Sequence, residues 1–224
     1  MNTKTIFAAV ALMISAFCPV AFSQTYTLGY DTTQYNTNAG GIVDAVVVLT
    51  EEVTGAEVSR LAAGGNNGLF SYSLGIDYSV FSGSAGSTFN SVVLDPLFVG
   101  GFSGSGEDVT DDPGVVSFEG TENFASNDSD GENGVGGTMV ATDIYEIALA
   151  TVRFNAGAAG SRTTLTLQEH VSPAANPFLF SDGIAPEINF TASEIFVANA
   201  VPEPSSAGVL ALLAGVGILR RRRN

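Results

Sequence analysis

The sequence predicts an all-β fold, a two-sheet antiparallel β-sandwich, on three observations. Leu69 to Val80 alternates strictly. Phe70, Tyr72, Leu74, Ile76, Tyr78 and Val80 share one parity; Ser71, Ser73, Gly75, Asp77 and Ser79 share the other. That is the period of a half-buried strand. Further runs rich in β-branched and aromatic residues are separated by Gly-Gly, Asn-Asn-Gly, Asp-Pro and Asp-Gly breaks, which is turn chemistry. Finally, hydrophobic residues make up 45% of the 224 and charged residues 14%, too apolar for general disorder.

The elements follow in chain order. Residues 1–23 read as an export signal: Lys4 supplies a positive start, Ile6 to Phe17 an apolar core, and Ala21-Phe22-Ser23 small residues at the −3 and −1 positions of a cleavage site. A signal peptidase has shallow pockets there, so cleavage is expected after Ser23. Cys18 follows Phe17, a poor fit to a lipoprotein site, so the mature chain is expected to hold no cysteine. Residues 24–200 form the exported body. Its strands are expected at Tyr26–Tyr30, Ile42–Thr50, Leu69–Val80, Ser91–Val99, Val115–Phe118, Thr138–Phe154, Thr163–Gln168 and Ile188–Val197. Within Asp143 to Phe154 the apolar parity shifts, as a bulge or a change of sheet would cause. Thr54 to Ala63 carries a weak helical pattern.

Residues 201–224 differ in kind. Val201-Pro202-Glu203-Pro204 is stiff and extended. Ala207 to Leu219 is a run of 13 residues without charge, and Arg220, Arg221, Arg222 and Arg223 follow it. A helix over such a run reaches about 20–22 Å, short of a comfortable span, and the basic cluster holds its end on the cytoplasmic side. This tail resembles the PEP-CTERM sorting signal, in which a VPEP motif, a short hydrophobic helix and a terminal arginine cluster occur in that order. The resemblance implies recognition and cleavage by an exosortase, transient membrane association and a Gram-negative-type envelope. It also implies a link to extracellular polysaccharide. Glu203 and the prolines beside it would be the sorting motif, and Arg220 to Arg223 its basic end.

The body has its own resemblance. GLFSYSLGIDYSVF early and EIALATVRFNAGAAGSRTTLTL late look like cohesin-like and related carbohydrate-binding β-sandwiches. The long polar stretch Gly100 to Thr138 and the lack of tryptophan depart from that pattern.

Chemistry-bearing residues are few. Glu107 to Asp112 and Asn127 to Asn133 are acidic loops, and Asp128, Asp130 and Glu132 are candidate calcium ligands, oxygen donors suited to a hard cation. An EF-hand register with Gly131 sixth places Ser126 first and Gly137 last. It therefore lacks the acids that make such loops tight, and a solvated loop is the other reading. Glu51-Glu52 reads as a polar strand end, and His170, the single histidine, as a strand-end surface residue. Metal sets of two or three histidines and cysteine nucleophiles are excluded, and no G-x-S-x-G elbow surrounds a serine.

Residues 24–200 hold three arginines against 22 carboxylates, a net charge of −19 where the whole chain has −15. Nucleic acid is not an expected partner. The expected role is that of an exported envelope or matrix protein, processed by signal peptidase and exosortase, acting by structure or binding rather than catalysis and needing no cofactor. The alternative is a carbohydrate-binding module, calcium-assisted, with Tyr72, Tyr78 and Phe178 as candidate sugar-stacking aromatics.

Overall fold

The computed structural model describes residues 23–55, 57–62, 68–82, 85–99, 115–121, 134–169 and 178–198. Residues 1–22 of the signal segment, both acidic loops, His170 and the sorting tail lie outside them, as do the two expected terminal helices, while Ser23 is the first residue of the first strand.

The body is the expected two-sheet sandwich. Its strands are β1 (Ser23–Tyr30), β2 (Gln34–Asn38), β3 (Ile42–Thr54), β4 (Leu69–Ser82), β5 (Thr88–Leu94), β6 (Val115–Thr121), β7 (Thr138–Ala141) and β8 (Ile144–Asn155). They continue with β9 (Arg162–Glu169), β10 (Leu179–Phe180), β11 (Ile188–Phe190) and β12 (Ala192–Ala198). One sheet runs β11-β1-β3-β8-β5, with β7 also on β8; the other runs β10-β4-β9-β12-β2, with β6 also on β4. Most pairs are antiparallel. Two are not: β1 lies parallel to β11 and β2 parallel to β12.

Period-two burial builds the core. On β3, Val43, Ala45, Val47, Leu49, Glu51 and Val53 are buried while their neighbours are not. On β4, Tyr72, Leu74 and Ile76 are fully enclosed. These inner faces merge into one apolar cluster with Phe98, Phe118, Phe154, Leu165 and Ile195. Tyr72 ties the two sheets together. Its hydroxyl donates to the Leu149 carbonyl at 2.7 Å, and Phe98 meets its ring edge-on at 5.1 Å. Full burial of such a ring removes on the order of 200 Å² from water, and the hydrogen bond satisfies the one polar atom that comes with it.

Several expectations change in detail. β4 is covered on both faces at its centre, since Ser71 and Ser73 are buried as well as Tyr72 and Leu74. Ser91–Val99 is shorter as a strand than expected: β5 ends at Leu94, and Pro96–Phe98 is a single 3₁₀ turn capped by Asp95, whose Oδ1 accepts from the Leu97 N–H at 3.0 Å. The run Thr138–Phe154 folds back at Thr142-Asp143, where Asp143 takes φ 59. The parity shift in β8 is a bulge. Val47 faces Ala150 and Val48 faces Ala148, so Leu149 is the extra residue and both Leu149 and Ala150 reach the core. Ile188–Val197 is two strands, because the chain changes sheets at Thr191. The described part of Thr54–Ala63 is no helix. Gly55 turns with φ 83, and the following loop gives its N–H groups to a side chain instead of to a helical ladder.

Candidate functional site

That side chain is Glu51. It sits in phase with Val43, Ala45, Val47 and Leu49 and is therefore carried inward at the end of β3, where it is fully buried. A buried carboxylate needs donors for both oxygens, and it has four. Oε1 accepts from the Tyr26 hydroxyl at 3.0 Å and the Arg60 N–H at 3.0 Å. Oε2 accepts from the Ser59 hydroxyl at 2.5 Å and the Leu61 N–H at 2.9 Å. Burial pushes the Tyr26 hydroxyl well above the usual tyrosine range and the Glu51 charge adds to the effect, so Tyr26 stays a donor.

The arrangement extends outward. Arg60 lays its guanidinium over the Phe180 ring, 5.2 Å from the centroid, and pairs with Asp182. Burial opposes ionisation of Asp182, but hydrogen bonds from Arg60 and the Ile184 N–H outweigh it and hold the carboxyl below its usual range. Tyr26 packs on Phe180 at 5.2 Å. One carboxylate thus fastens the 57–62 loop across β1 and β3 of one sheet, while Arg60 fastens it to the β10 turn of the other. Both oxygens of Glu51 are used internally, so the carboxylate acts as a structural clasp. The expectation that Glu51-Glu52 is only a polar strand end is wrong for Glu51 and right for exposed Glu52.

The outer face of the β1-β3-β8-β5 sheet carries two shallow depressions. A shallow depression of about 230 Å³ is lined by Thr27, Gly29, Thr50, Glu146 and Thr191. A second of about 150 Å³ lies by Val93, Asp95, Pro96 and Thr151. Between them Val48 opposes Ala148, and Val93 is 65% exposed. The face is apolar along its middle and acidic at Asp31, Asp95 and Glu146. Its one arginine, Arg153, is bound by Asp44 at 2.7 and 2.9 Å, and that bond holds Asp44 below the usual carboxylate range.

The other sequence-based candidates fall in two groups. Tyr72 and Phe178 are core residues, 6.0 Å apart by ring centroid, and Tyr78 packs on Phe154 at 5.6 Å. They form no sugar-stacking platform. Asp128, Asp130, Glu132, Val201, Pro202, Glu203, Pro204 and Arg220 to Arg223 lie outside the described residues. Among the described residues, no cluster of three His, Cys, Asp or Glu is placed to hold a metal ion. None of their helices is long and apolar enough to cross a membrane.

No family model matches the chain, and no curated protein matches it. Among solved structures it is similar, distantly, to a chain of a type I cohesin–dockerin complex from Clostridium thermocellum. The TM-score is 0.45 at 11% identity, over 79% of this chain and 96% of that one.

Proposed function

We propose that the protein is an exported envelope or matrix component, sorted through its C-terminal tail, whose acidic β-sandwich serves as a structural or binding body without catalysis. The observation that carries this reading is the order of the tail: Val201 to Pro204, an uncharged run, then Arg220 to Arg223. The export signal read at residues 1–23 supports it. So does the clasp, in which a buried acid is spent entirely on holding the sandwich closed. A structural role is preferred to sugar binding because Tyr72 and Phe178 are interior.

Co-expressed with an exosortase, the chain should reach the cell surface without its tail, ending near Pro202 to Pro204 by mass spectrometry of the C-terminal peptide. Surface material that retains Arg220 to Arg223 would overturn the sorting reading.

A further inference from the structure

The first and last strands of the body run side by side in the same direction. β1 meets β11 at Tyr26–Ile188, Thr27–Asn189 and Leu28–Phe190. β2 meets β12 from Gln34–Glu194 to Asn38–Ala198. Both segments change sheets together and stay bonded while they do so: the Thr191 N–H donates to the Leu28 carbonyl at 2.8 Å, and the Glu194 N–H to the Thr33 carbonyl at 3.2 Å. The result is one two-stranded ribbon that traverses both sheets.

β3 fixes where the ribbon's ends lie. Ser23 stands opposite Thr54, the last residue of β3. Asn38 accepts from the Gly41 N–H at 2.9 Å, beside Ile42, the first residue of β3. The 13 residues of β3 span about 40 Å at roughly 3.3 Å each. The chain therefore enters the body at one end and leaves it at the other.

Three side chains strengthen the ribbon beyond its backbone ladder. Asn189 Nδ2 donates to the Tyr26 carbonyl at 3.3 Å, Thr191 Oγ1 to the Leu28 carbonyl at 3.2 Å, and Ser193 Oγ to the Thr32 carbonyl at 2.9 Å. The three donors are spaced two apart, so one side of the last strands bonds the backbone of the first. Gly29 makes the approach possible, because a Cβ there would collide with Thr191 Oγ1.

We propose that this ribbon is a force-bearing clamp, and that the body carries tension between its two ends. Pulling Gln24 and Ala198 apart draws β1-β2 against β11-β12 and β3 along the strand axis. The ladders then lie across the pull and must fail together. Peeled from one end, the same bonds would fail in succession. This deepens the structural role proposed above, and its test reads force alone, so the fate of the sorting tail does not bear on it.

The full chain, with handles fused before Met1 and after Asn224, is pulled in a single-molecule force instrument. For comparison, the full chain carrying Asn38→Cys and Ala198→Cys in a Cys18→Ser background is pulled through those two thiols, which peels the ribbon. The force that unfolds the body should be about twofold or more higher from the chain ends, since bonds that are individually weak resist there in concert. The variant Asn189→Ala, Thr191→Val, Ser193→Ala should unfold at least about tenfold faster at a given end-to-end force, by the loss of three such bonds. Its peeling force should change little. Equal forces in the two geometries would overturn the proposal whether or not the triple variant folds. An end-to-end force unchanged in a triple variant with parental circular dichroism would overturn it too.

Discussion

Glu51 concentrates more of the molecule's polar bonding than any other described side chain, and its replacement should be correspondingly costly. Glu51→Ala strands the Tyr26 and Ser59 hydroxyls and the Arg60 and Leu61 N–H groups, and should cost about 3–5 kcal/mol by urea denaturation. Tyr26→Phe removes one donor of four and keeps the ring on Phe180, so about 1–2 kcal/mol is expected. If Tyr26→Phe costs as much as Glu51→Ala, the ring packing and not the carboxylate holds the loop. Asp182 gives a pH-dependent counterpart. Its carboxyl is held below the usual range in the folded protein, so its contribution is fully present above the unfolded value of about 3.9. It is lost as pH falls through the lower folded value. The stability difference between parent and Asp182→Asn should therefore be steady at neutral pH and close below about pH 4. A gap that widens in acid would reverse the sign.

At the level of elements, alternation was legible wherever large apolar and small or polar residues took turns along a strand. β4 announces itself by Tyr72, Leu74 and Ile76, and the bulge in β8 by its change of parity. What alternation could not reveal was how strands pair. The parallel β1/β11 and β2/β12 contacts bring together residues about 160 positions apart, and nothing local marks them. Glu51 was missed for a different reason. Ending β3 at Thr50 hid the fact that the Val43-to-Leu49 parity continues through Glu51 to Val53; a charged residue in phase with a core stripe was the available signal. The weak helical pattern at Thr54–Ala63 lost to that carboxylate, which captures the N–H groups a helix would have used. The bulge offers a direct test. Deleting Ala148 would close the bulge with Leu49 still opposite Ile147, and would place Leu149 opposite Val48 on the outer face, taking a fully buried leucine out of the core. Such a chain should keep its strand content and lose about 2–5 kcal/mol by urea denaturation, the usual cost of an emptied leucine site. Stability equal to the parent's would mean that Leu149 keeps its place inside and the bulge is not what puts it there.

For the whole molecule the deciding quantity is charge. The body carries −19 on residues 24–200, and its three arginines each have a carboxylate already: Asp182 for Arg60, Asp44 for Arg153 and Glu194 for Arg162. Salt acts on these in opposite senses. It weakens the pairs, of which Arg153–Asp44 is half exposed, and exposed pairs contribute only about 0–1 kcal/mol each. It also relieves repulsion among the remaining acids across a body about 40 Å long. At 0.01 M the screening length is about 30 Å, so that repulsion reaches across the sandwich, whereas at 0.15 M it is about 8 Å and reaches only neighbours. Many long-range repulsions against three short attractions should favour the first effect. Raising NaCl from about 0.01 to 0.15 M should therefore raise the melting temperature by several degrees, each 1 kcal/mol giving about 2–4 °C in a domain of this size. The same increment should be smaller in a variant with Glu52, Glu146 and Asp31 changed to their amides, which removes three acids from one face and leaves the clasp intact. A melting temperature that is flat or falls with salt would mean that three ion pairs outweigh the self-repulsion of the whole body.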